Sequence, residues 1–158
     1  MSLEQEVGAL LRQKGLTLGL VESASGGLIS HRITNVSGSS DYYKGSVTSY
    51  SNEVKIKLVG VREDTINRYG AVSPEVAEEM ARGGRKVLAV DICLADTGIA
   101  GPTGATPEKP VGLFFIGLSH KGGTFSQKHS FRGNREQNKQ SAAEAAMRWL
   151  KEYLSSLK

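Results

Sequence analysis

Apolar residues recur along the chain with two different periods, one typical of β-strands and one typical of α-helices. Leu16, Leu18 and Leu20 stand at every second position, which predicts a strand that ends near Glu22. Between residues 28 and 36 the apolar positions recur at roughly helical spacing, so a helix is predicted next. The turn between the two is polar and contains two glycines, which completes a predicted strand–turn–helix unit.

The same patterns predict the other elements of the chain. Further helices are predicted at Ser2–Gly15, after Asn52 as a cap, at Asp64–Tyr69, from Ser73-Pro74 to the Gly83-Gly84 pair, and from the cap Asn134 onward. Further strands are predicted at Val47–Tyr50, Val87–Asp96, Leu113–Leu118 and Phe125–Phe131, the last at an edge because it is more polar. Because strands alternate with helices, we predict an α/β fold, a three-layer α/β/α sandwich with a mixed, mostly parallel sheet of about five strands. The short Lys121-Gly-Gly123 connection indicates a hairpin, so one strand should run antiparallel.

Composition and length limit the class of protein. The chain has 158 residues, of which 39% are hydrophobic and 23% are charged, and these values are typical of a folded domain. One domain over residues 1–158 is therefore expected. No apolar run reaches the ~20 residues of a membrane span, no signal-peptide pattern opens the chain, and Cys93 is the single cysteine. These features favour a cytoplasmic protein without disulfides or a membrane segment.

The net charge of +4 raises the question of nucleic-acid binding. The basic residues are scattered, and they form neither a stripe with aromatic residues nor the pattern of a recognition helix. We therefore expect a solvated surface and no nucleic-acid partner, since one or two cations suffice for a small phosphorylated ligand. The oligomeric state stays open, with a homo-oligomer as one alternative.

Two glycine-rich loops follow predicted strands, one at Glu22–Gly27 and one at Thr97–Gly104. If those strands are parallel, both loops lie at the carboxyl edge of the sheet, where α/β proteins bind ligands. The helix that starts after Gly26 and Gly27 offers free N–H groups and a partial positive charge, which suit an anion. The alternative is that the serines and glycines only cap this helix.

The polar residues at this edge do not match a metal or triad site. His31, His120 and His129 have no metal-ligand spacing, and no nucleophile-elbow, Walker or dinucleotide motif is present, so we predict neither a metal nor a cofactor. A serine–lysine pair remains open, because a lysine kept neutral by burial or by a neighbouring cation accepts a hydroxyl proton. Lys55 follows a strand and a cap and is the candidate; the alternative is an ordinary solvent-facing lysine on a short helix.

Six motifs resemble, in the same order, those of the CinA C-terminal domain family. They are Glu22-Ser23-Ala24-Ser25-Gly26-Gly27, Gly38-Ser39-Ser40, Tyr50-Ser51-Asn52 with Lys55, Gly70-Ala71-Val72-Ser73, Gly98-Ile99-Ala100-Gly101-Pro102 and Lys109-Pro110-Val111-Gly112. The resemblance covers nearly the whole chain. It implies a metal-independent amidohydrolase that converts nicotinamide mononucleotide to nicotinic acid mononucleotide and ammonia in pyridine-nucleotide salvage. Longer members of the family carry an additional N-terminal domain, which this sequence is not expected to include.

Two other functions stay open beside this one. The first is a non-catalytic nucleotide-binding module that senses or scaffolds. The second, less favoured, is a nucleic-acid-associated protein, suggested only by the positive charge and by the family's competence-related name. An intact serine–lysine pair favours the enzyme, whose partner is then a small-molecule nucleotide.

The resemblance also assigns residues to the reaction. The family's lysine matches Lys55, and its serine nucleophile matches best Ser40 of the Gly38-Ser39-Ser40 loop, with Ser23 as the alternative. Tyr50 matches a tyrosine that could bridge the serine and the lysine by hydrogen bonds. Arg135 matches an arginine that could bind phosphate or hold down the pKa of the lysine.

Further residues are expected to bind the substrate because they fall in the glycine-rich motifs. They are Glu22, Ser25, Gly26, Gly27, Ser39, Gly98 and Gly101. The chain departs from the family at three positions, with Ser25 for threonine, Val21 for alanine and Asn134 for aspartate. Ser25 keeps a hydroxyl and Asn134 keeps a helix cap, so we expect the serine–lysine chemistry to be retained.

Overall fold

A computed structural model describes residues 1–158, which form six α-helices and five β-strands. The strands are β1 (Leu18–Glu22), β2 (Tyr43–Thr48), β3 (Ile92–Gly98), β4 (Leu113–His120) and β5 (Gly123–Ser130). The helices are α1 (Leu3–Lys14), α2 (Leu28–Thr34), α3 (Asn52–Val59), α4 (Glu63–Tyr69), α5 (Pro74–Leu88) and α6 (Arg135–Ser156). A 3₁₀ turn, Ser39–Asp41, precedes β2. None of the helices is both long and apolar enough to cross a membrane.

The five strands form one mixed sheet in the order β2-β1-β3-β4-β5. β1 pairs in parallel with β2 and with β3, whereas β4 runs antiparallel to both of its neighbours, β3 and β5. Four strands therefore point the same way, which confirms the predicted α/β fold with a mixed, mostly parallel sheet. The predicted hairpin between β4 and β5 is present, and β5 lies at an edge as expected.

Apolar side chains cover both faces of the sheet. Leu18 and Leu20 of β1 belong to a cluster of 20 buried residues that β1 shares with α1 and α6. Val21 belongs to a second cluster of 9 buried residues, which includes Val76 and Met80 of α5. The two clusters account for the three layers, because each face of the sheet needs helices to bury its apolar side chains.

Helix α5 is longer than predicted, and the strand after it is correspondingly shorter. The helix continues through Gly83 and Gly84 and includes Val87, where a strand was predicted, so β3 starts only at Ile92. A Cβ atom at position 83 would stand 1.7 Å from the carbonyl oxygen of Val59. The glycines let α5 pack closely against α3 and the sheet, and this packing offsets their helix penalty of ~1 kcal/mol each.

Helix α3 begins with a different cap from the one predicted. The Ser51 Oγ accepts a hydrogen bond from the N–H of Val54 at 3.1 Å, so Ser51 is the N-cap and Asn52 is the first helical residue. Gly60 ends the helix in a left-handed conformation, with φ of 74°. These two ends fix the position of α3 beside the carboxyl edge of the sheet, and α3 carries Lys55.

Candidate functional site

A cleft opens at the carboxyl edge of the sheet, where the parallel strands β1 and β3 end side by side. Its volume is about 410 Å³, within the range of pockets that hold small molecules. The two glycine-rich loops lie at this edge, as the sequence predicted. Polar side chains from both loops, from α3 and the residues just before it, and from the start of α6 line the cleft: Ser23, Tyr50, Asn52, Lys55, Thr97, Thr103 and Arg135.

Lys55 is buried although it carries an amine, with only 2% of the residue exposed. Its Nζ donates a hydrogen bond to the backbone carbonyl oxygen of Tyr50 at 3.2 Å. Burial lowers the pKa of Lys55, and the nearby carboxyl of Asp96 opposes this shift without cancelling it. The structure therefore excludes a solvent-facing lysine, and Lys55 has the surroundings of a lysine that gives up its proton readily.

Ser23 shares this cleft with Lys55. It directly follows β1, and its backbone N–H donates to Asp96 Oδ1 at 3.0 Å. The residue is 7% exposed and lines the cleft, and its hydroxyl has no hydrogen-bond partner within the protein. The structure thus brings together Lys55 and the serine that was the alternative nucleophile.

Ser39 and Ser40 lie at the opposite edge of the sheet. They belong to the 3₁₀ turn before β2, whereas Lys55 follows the far end of the same strand. The 6 residues of β2 span ~20 Å along the strand. Ser40 is exposed, and the neighbouring carbonyl of Gly38 accepts a hydrogen bond from Arg12 Nη2 at 2.8 Å. The structure does not bring the preferred nucleophile Ser40 to Lys55, nor Ser39 to the cleft, because a complete strand separates the two motifs.

Glu22 is fully buried and caps helix α2. Its Oε1 accepts hydrogen bonds from the N–H groups of Gly27 and Ile29 at 3.2 and 2.9 Å. Its Oε2 accepts from the N–H and the hydroxyl of Ser30 at 2.9 and 2.6 Å. The N–H groups at the start of α2 do bind an anion, but that anion is the chain's own carboxylate. The structure does not place Glu22, Gly26 or Gly27 in the lining of the cleft, which corrects their expected role in substrate binding.

Asp96, which had no predicted role, is fully buried beneath the first loop. It accepts hydrogen bonds from the N–H groups of Ser23 and Ser25, both at 3.0 Å, and it also contacts the Ser25 hydroxyl. Burial raises the pKa of Asp96 to about 6. Ser25 is itself fully buried, so it supports the loop and does not line the cleft as a substrate-binding residue would. The sequence did contain a signal for this role, because Asp96 is a lone carboxylate at the end of an apolar strand.

Arg135 connects the second loop to Tyr50. Its Nη1 donates to the carbonyl oxygen of Gly101 at 2.8 Å, and its Nη2 donates to the Tyr50 hydroxyl at 3.1 Å. Arg135 is the first residue of α6, whose predicted cap Asn134 is confirmed. The Tyr50 hydroxyl therefore binds the arginine, and Tyr50 reaches Lys55 only through its backbone carbonyl. Tyr50 does not bridge the serine and the lysine as expected.

Two further residues hold the second loop in place. Gly98 lines the cleft at the end of β3, where a Cβ atom would stand 2.3 Å from the ring of Phe114. Asn138 of α6 is fully buried and donates from Nδ2 to the carbonyl oxygen of Ala100 at 3.0 Å. Asn138 had no predicted role, although a polar residue one helical turn before the apolar stripe at Ala142 was an available signal.

Several backbone N–H groups of the cleft lining have no hydrogen-bond partner within the protein. One belongs to Ala24, directly after Ser23, and others belong to Ala100, Thr103 and Gly104 of the second loop. Fixed N–H groups of this kind stabilise negative charge that develops in a reaction. Together with a serine hydroxyl and a buried lysine, they form an arrangement suited to acyl transfer. No group of three or more His, Cys, Asp or Glu side chains is placed to hold a metal ion.

Comparison with known proteins agrees with the motifs. The profile of the family described as the CinA C-terminal domain matches residues 1–154. A protein of Halothermothrix orenii is 51% identical over 154 residues, and a CinA-like protein of Salinibacter ruber is 45% identical over 155 residues. These alignments cover 97% and 98% of this chain but only 37% and 38% of the relatives. The chain therefore spans a little over a third of the length of the curated relatives it matches.

Solved structures share the fold over almost their whole length. A competence-damaged protein (CinA) superfamily protein from Klebsiella pneumoniae is 28% identical with a TM-score of 0.95, covering 98% of this chain and 97% of that chain. The competence/damage-inducible protein CihA from Agrobacterium tumefaciens is 29% identical with a TM-score of 0.91, covering 99% and 100%. Sequence and fold point to the same relatives.

Proposed function

This chain belongs to the CinA C-terminal domain family, and we propose that it is a metal-independent amidohydrolase acting on nicotinamide mononucleotide. Its products are then nicotinic acid mononucleotide and ammonia. One observation carries the proposal: the buried amine of Lys55 and the unpaired hydroxyl of Ser23 line the same cleft. Attack by a serine with help from a neutral lysine is the chemistry that such a pair performs on an amide.

In this mechanism Lys55 acts as the general base. Its neutral Nζ accepts the proton of the Ser23 hydroxyl while the Oγ attacks the carboxamide carbon. The ammonium group of Lys55 then gives this proton to the amide nitrogen, the carbon–nitrogen bond breaks, and ammonia leaves. Water hydrolyses the acyl-serine, with Lys55 again as the base, and the carboxylate product is released. Ser23 has this role in place of Ser40, because Ser40 lies outside the cleft.

The negatively charged oxygen of the tetrahedral intermediate needs hydrogen-bond donors. The N–H of Ala24 follows the nucleophile directly, and Ala100 and Gly104 of the other loop line the same cleft with N–H groups that have no partner within the protein. Such donors lower the barrier because they are fixed before the charge develops. The N–H groups of Ser25 and Gly27 cannot serve, since they already donate to buried carboxyls.

Arg135 is the proposed ligand of the substrate phosphate. Its guanidinium lines the cleft and uses two of its N–H groups for Gly101 and Tyr50, which leaves further donors free. Arginine binds phosphate through charge-assisted hydrogen bonds. The turn at Gly26-Gly27, which the sequence suggested for an anion, offers no free donor to a phosphate, because the N–H of Gly27 donates to Glu22 and that of Gly26 donates to the carbonyl oxygen of Ser23.

A nucleotide-binding module without catalysis is the alternative function. It explains the cleft and Arg135 equally well. It does not explain the burial of an amine at Lys55, since burying an ammonium ion is unfavourable and a binding role needs no neutral base. We therefore favour the enzyme.

An ammonia-release assay over a panel of carboxamides tests the proposal. The panel contains nicotinamide mononucleotide, its phosphate-free riboside and nicotinamide. We expect release from the mononucleotide at a rate well above that from the other two. If no compound releases ammonia but calorimetry shows that the mononucleotide binds, the binding module is the better account.

A further inference from the structure

Two buried carboxyl groups meet at one hydroxyl beneath the cleft. The Ser25 Oγ lies 2.7 Å from Glu22 Oε1 and within hydrogen-bond distance of Asp96 Oδ1. A hydroxyl carries one proton and donates to one of these oxygens. If both carboxylates were ionised, the other contact would join two oxygens with no hydrogen between them. One additional proton is therefore needed to complete the chain of three groups.

The hydrogen-bond donors around each carboxyl indicate where that proton resides. Glu22 accepts four other hydrogen bonds at the N-terminus of α2, and such donors stabilise an ionised carboxylate. Asp96 accepts only two others, from the N–H groups of Ser23 and Ser25. The proton therefore belongs on Asp96, and the upward shift that burial gives its pKa agrees with this.

Few charged groups face Asp96 from the elements around it. Glu22 approaches from β1, and its negative charge disfavours a second one. Lys55 approaches from α3, but burial lowers its own pKa. Lys139 of α6 lies outside the first loop, beside Gly26, and β4 places the apolar Ile116 opposite Asp96. The surroundings thus supply little positive charge to keep Asp96 ionised.

We propose that Asp96 is a positioning residue for Ser23 and that it shares one proton with Glu22 through the Ser25 hydroxyl. Asp96 Oδ1–H donates to the Ser25 Oγ, whose own proton goes to Glu22. The two Asp96 oxygens also accept the N–H groups of Ser23 and Ser25, which fixes the backbone so that the Ser23 hydroxyl lines the cleft. The positioning role rests on the proposed function, whereas the shared proton does not.

Carboxyl-carbon NMR on the full chain tests the shared proton directly. The sequence contains four aspartates, Asp41, Asp64, Asp91 and Asp96, so ¹³C labelling of aspartate gives four signals. The first three are exposed and serve as internal controls. We expect one signal, absent in Asp96→Asn, to titrate at least about one pH unit above the other three. A signal of Asp96 that titrates together with the exposed aspartates overturns the shared proton.

Kinetics of Asp96→Asn test the positioning role. The amide oxygen can accept only one of the two N–H groups, so we expect kcat for the mononucleotide to fall ~10-fold or more while KM changes little. Asp91→Asn, at the other end of β3, is the matched control and should keep wild-type kinetics. A wild-type kcat in Asp96→Asn, or an effect on KM alone, overturns the positioning role.

A substitute variant and a check on the proposed function show which of the two claims has failed. If Asp96→Asn does not fold by circular dichroism, Asp96→Glu takes its place, because the longer side chain moves the carboxyl away from the N–H groups of Ser23 and Ser25. We expect kcat to fall there too, and an unchanged kcat contradicts the positioning role. If the wild-type chain neither releases ammonia nor reacts at Ser23 with a fluorophosphonate probe, the proposed function fails and the positioning role fails with it. The shared proton then stands or falls on the carboxyl titration alone.

Discussion

The two glycine-rich loops at the carboxyl edge of the sheet follow parallel strands and both contain hydroxyl residues, yet most of their backbone N–H groups are used in opposite ways. In the first loop and the start of α2, five N–H groups donate to the buried carboxyls of Glu22 and Asp96. In the second loop, N–H groups of Ala100, Thr103 and Gly104 stay unpaired beside the cleft. The first loop is thus mainly an internal support in which the N–H of Ala24 stays unpaired, and the second is open to a ligand.

This difference shows what a glycine-rich loop at a helix start does and does not indicate. The residues permit an anion to approach the backbone, but a buried carboxylate from the same chain satisfies that requirement as well as a phosphate does. Only the three-dimensional position of Glu22 and Asp96 decides between the two. The open N–H groups, rather than the glycines, therefore mark the binding side of this cleft.

The largest effect should come from Lys55, which lines the cleft beside the two loops. Lys55→Ala removes the proposed general base, so we expect ammonia release from the mononucleotide to fall by ~10³-fold with the fold intact. Lys57→Ala, an exposed lysine of the same helix, should behave as wild type. A folded Lys55→Ala protein with near-full turnover would rule out the serine–lysine chemistry.

Next in size is the effect of breaking the internal support of the first loop. Glu22→Ala leaves several buried donors without an acceptor, and we expect it to lower the free energy of unfolding by ~3 kcal/mol or more. Asn138→Ala, which releases the second loop, should be milder at ~1–3 kcal/mol. Urea denaturation measures both, with the exposed Glu53→Gln as control. Equal losses in the free energy of unfolding for the two variants would show that the first loop is no more of an internal support than the second.

A smaller effect is expected where the open loop meets Arg135. For the wild type, kcat/KM should be lower for the phosphate-free riboside than for the mononucleotide. The difference should correspond to ~2–3 kcal/mol of lost transition-state stabilisation. Arg135→Ala should narrow that gap by slowing the mononucleotide reaction more than the riboside reaction. Arg148→Ala, an exposed arginine farther along α6, should keep the gap. An Arg135→Ala protein that discriminates as the wild type does would exclude a phosphate role.

The smallest expected effect concerns pH and the buried side of the first loop. The folded state holds a proton on Asp96 up to about pH 6, whereas an unfolded aspartate releases it near pH 4. As the pH rises through this window the unfolded state binds fewer protons than the folded one, so stability falls with rising pH, by ~1–3 kcal/mol. Denaturation of the wild type and of Asp96→Asn at pH 4 and 7 measures the difference. If stability changes with pH to the same extent in Asp96→Asn, groups other than Asp96 cause the pH dependence.

Most of the fold could be predicted from the local sequence pattern, because the apolar residues recur with helical or strand spacing and glycine, proline and capping residues mark the turns. The exception at Gly83 and Gly84 is instructive. Their destabilising effect on a helix is local, but their contacts with Val59 and the sheet are tertiary and invisible in sequence.

The site was predictable only where a motif carried a residue into the cleft, as for Lys55 and Arg135. The sequence could not decide between Ser23 and Ser40 as the nucleophile. Both serines lie in motifs that match the family, and they differ only in whether they follow or precede a strand. Asp96 was missed for a related reason. Its strand looks apolar, and the partners of its carboxyl come from the loop after the neighbouring strand β1, which is distant in the sequence.

Ammonia release from nicotinamide mononucleotide by Ser23→Ala and by Ser40→Ala tests directly which serine is the nucleophile. We expect Ser23→Ala to lose kcat by ~10³-fold or more, because the nucleophile is gone. We expect Ser40→Ala, altered at the opposite end of the parallel strands, to keep kcat within about twofold of the wild type. The reverse result, with Ser23→Ala active and Ser40→Ala inactive, would exclude Ser23 as the nucleophile.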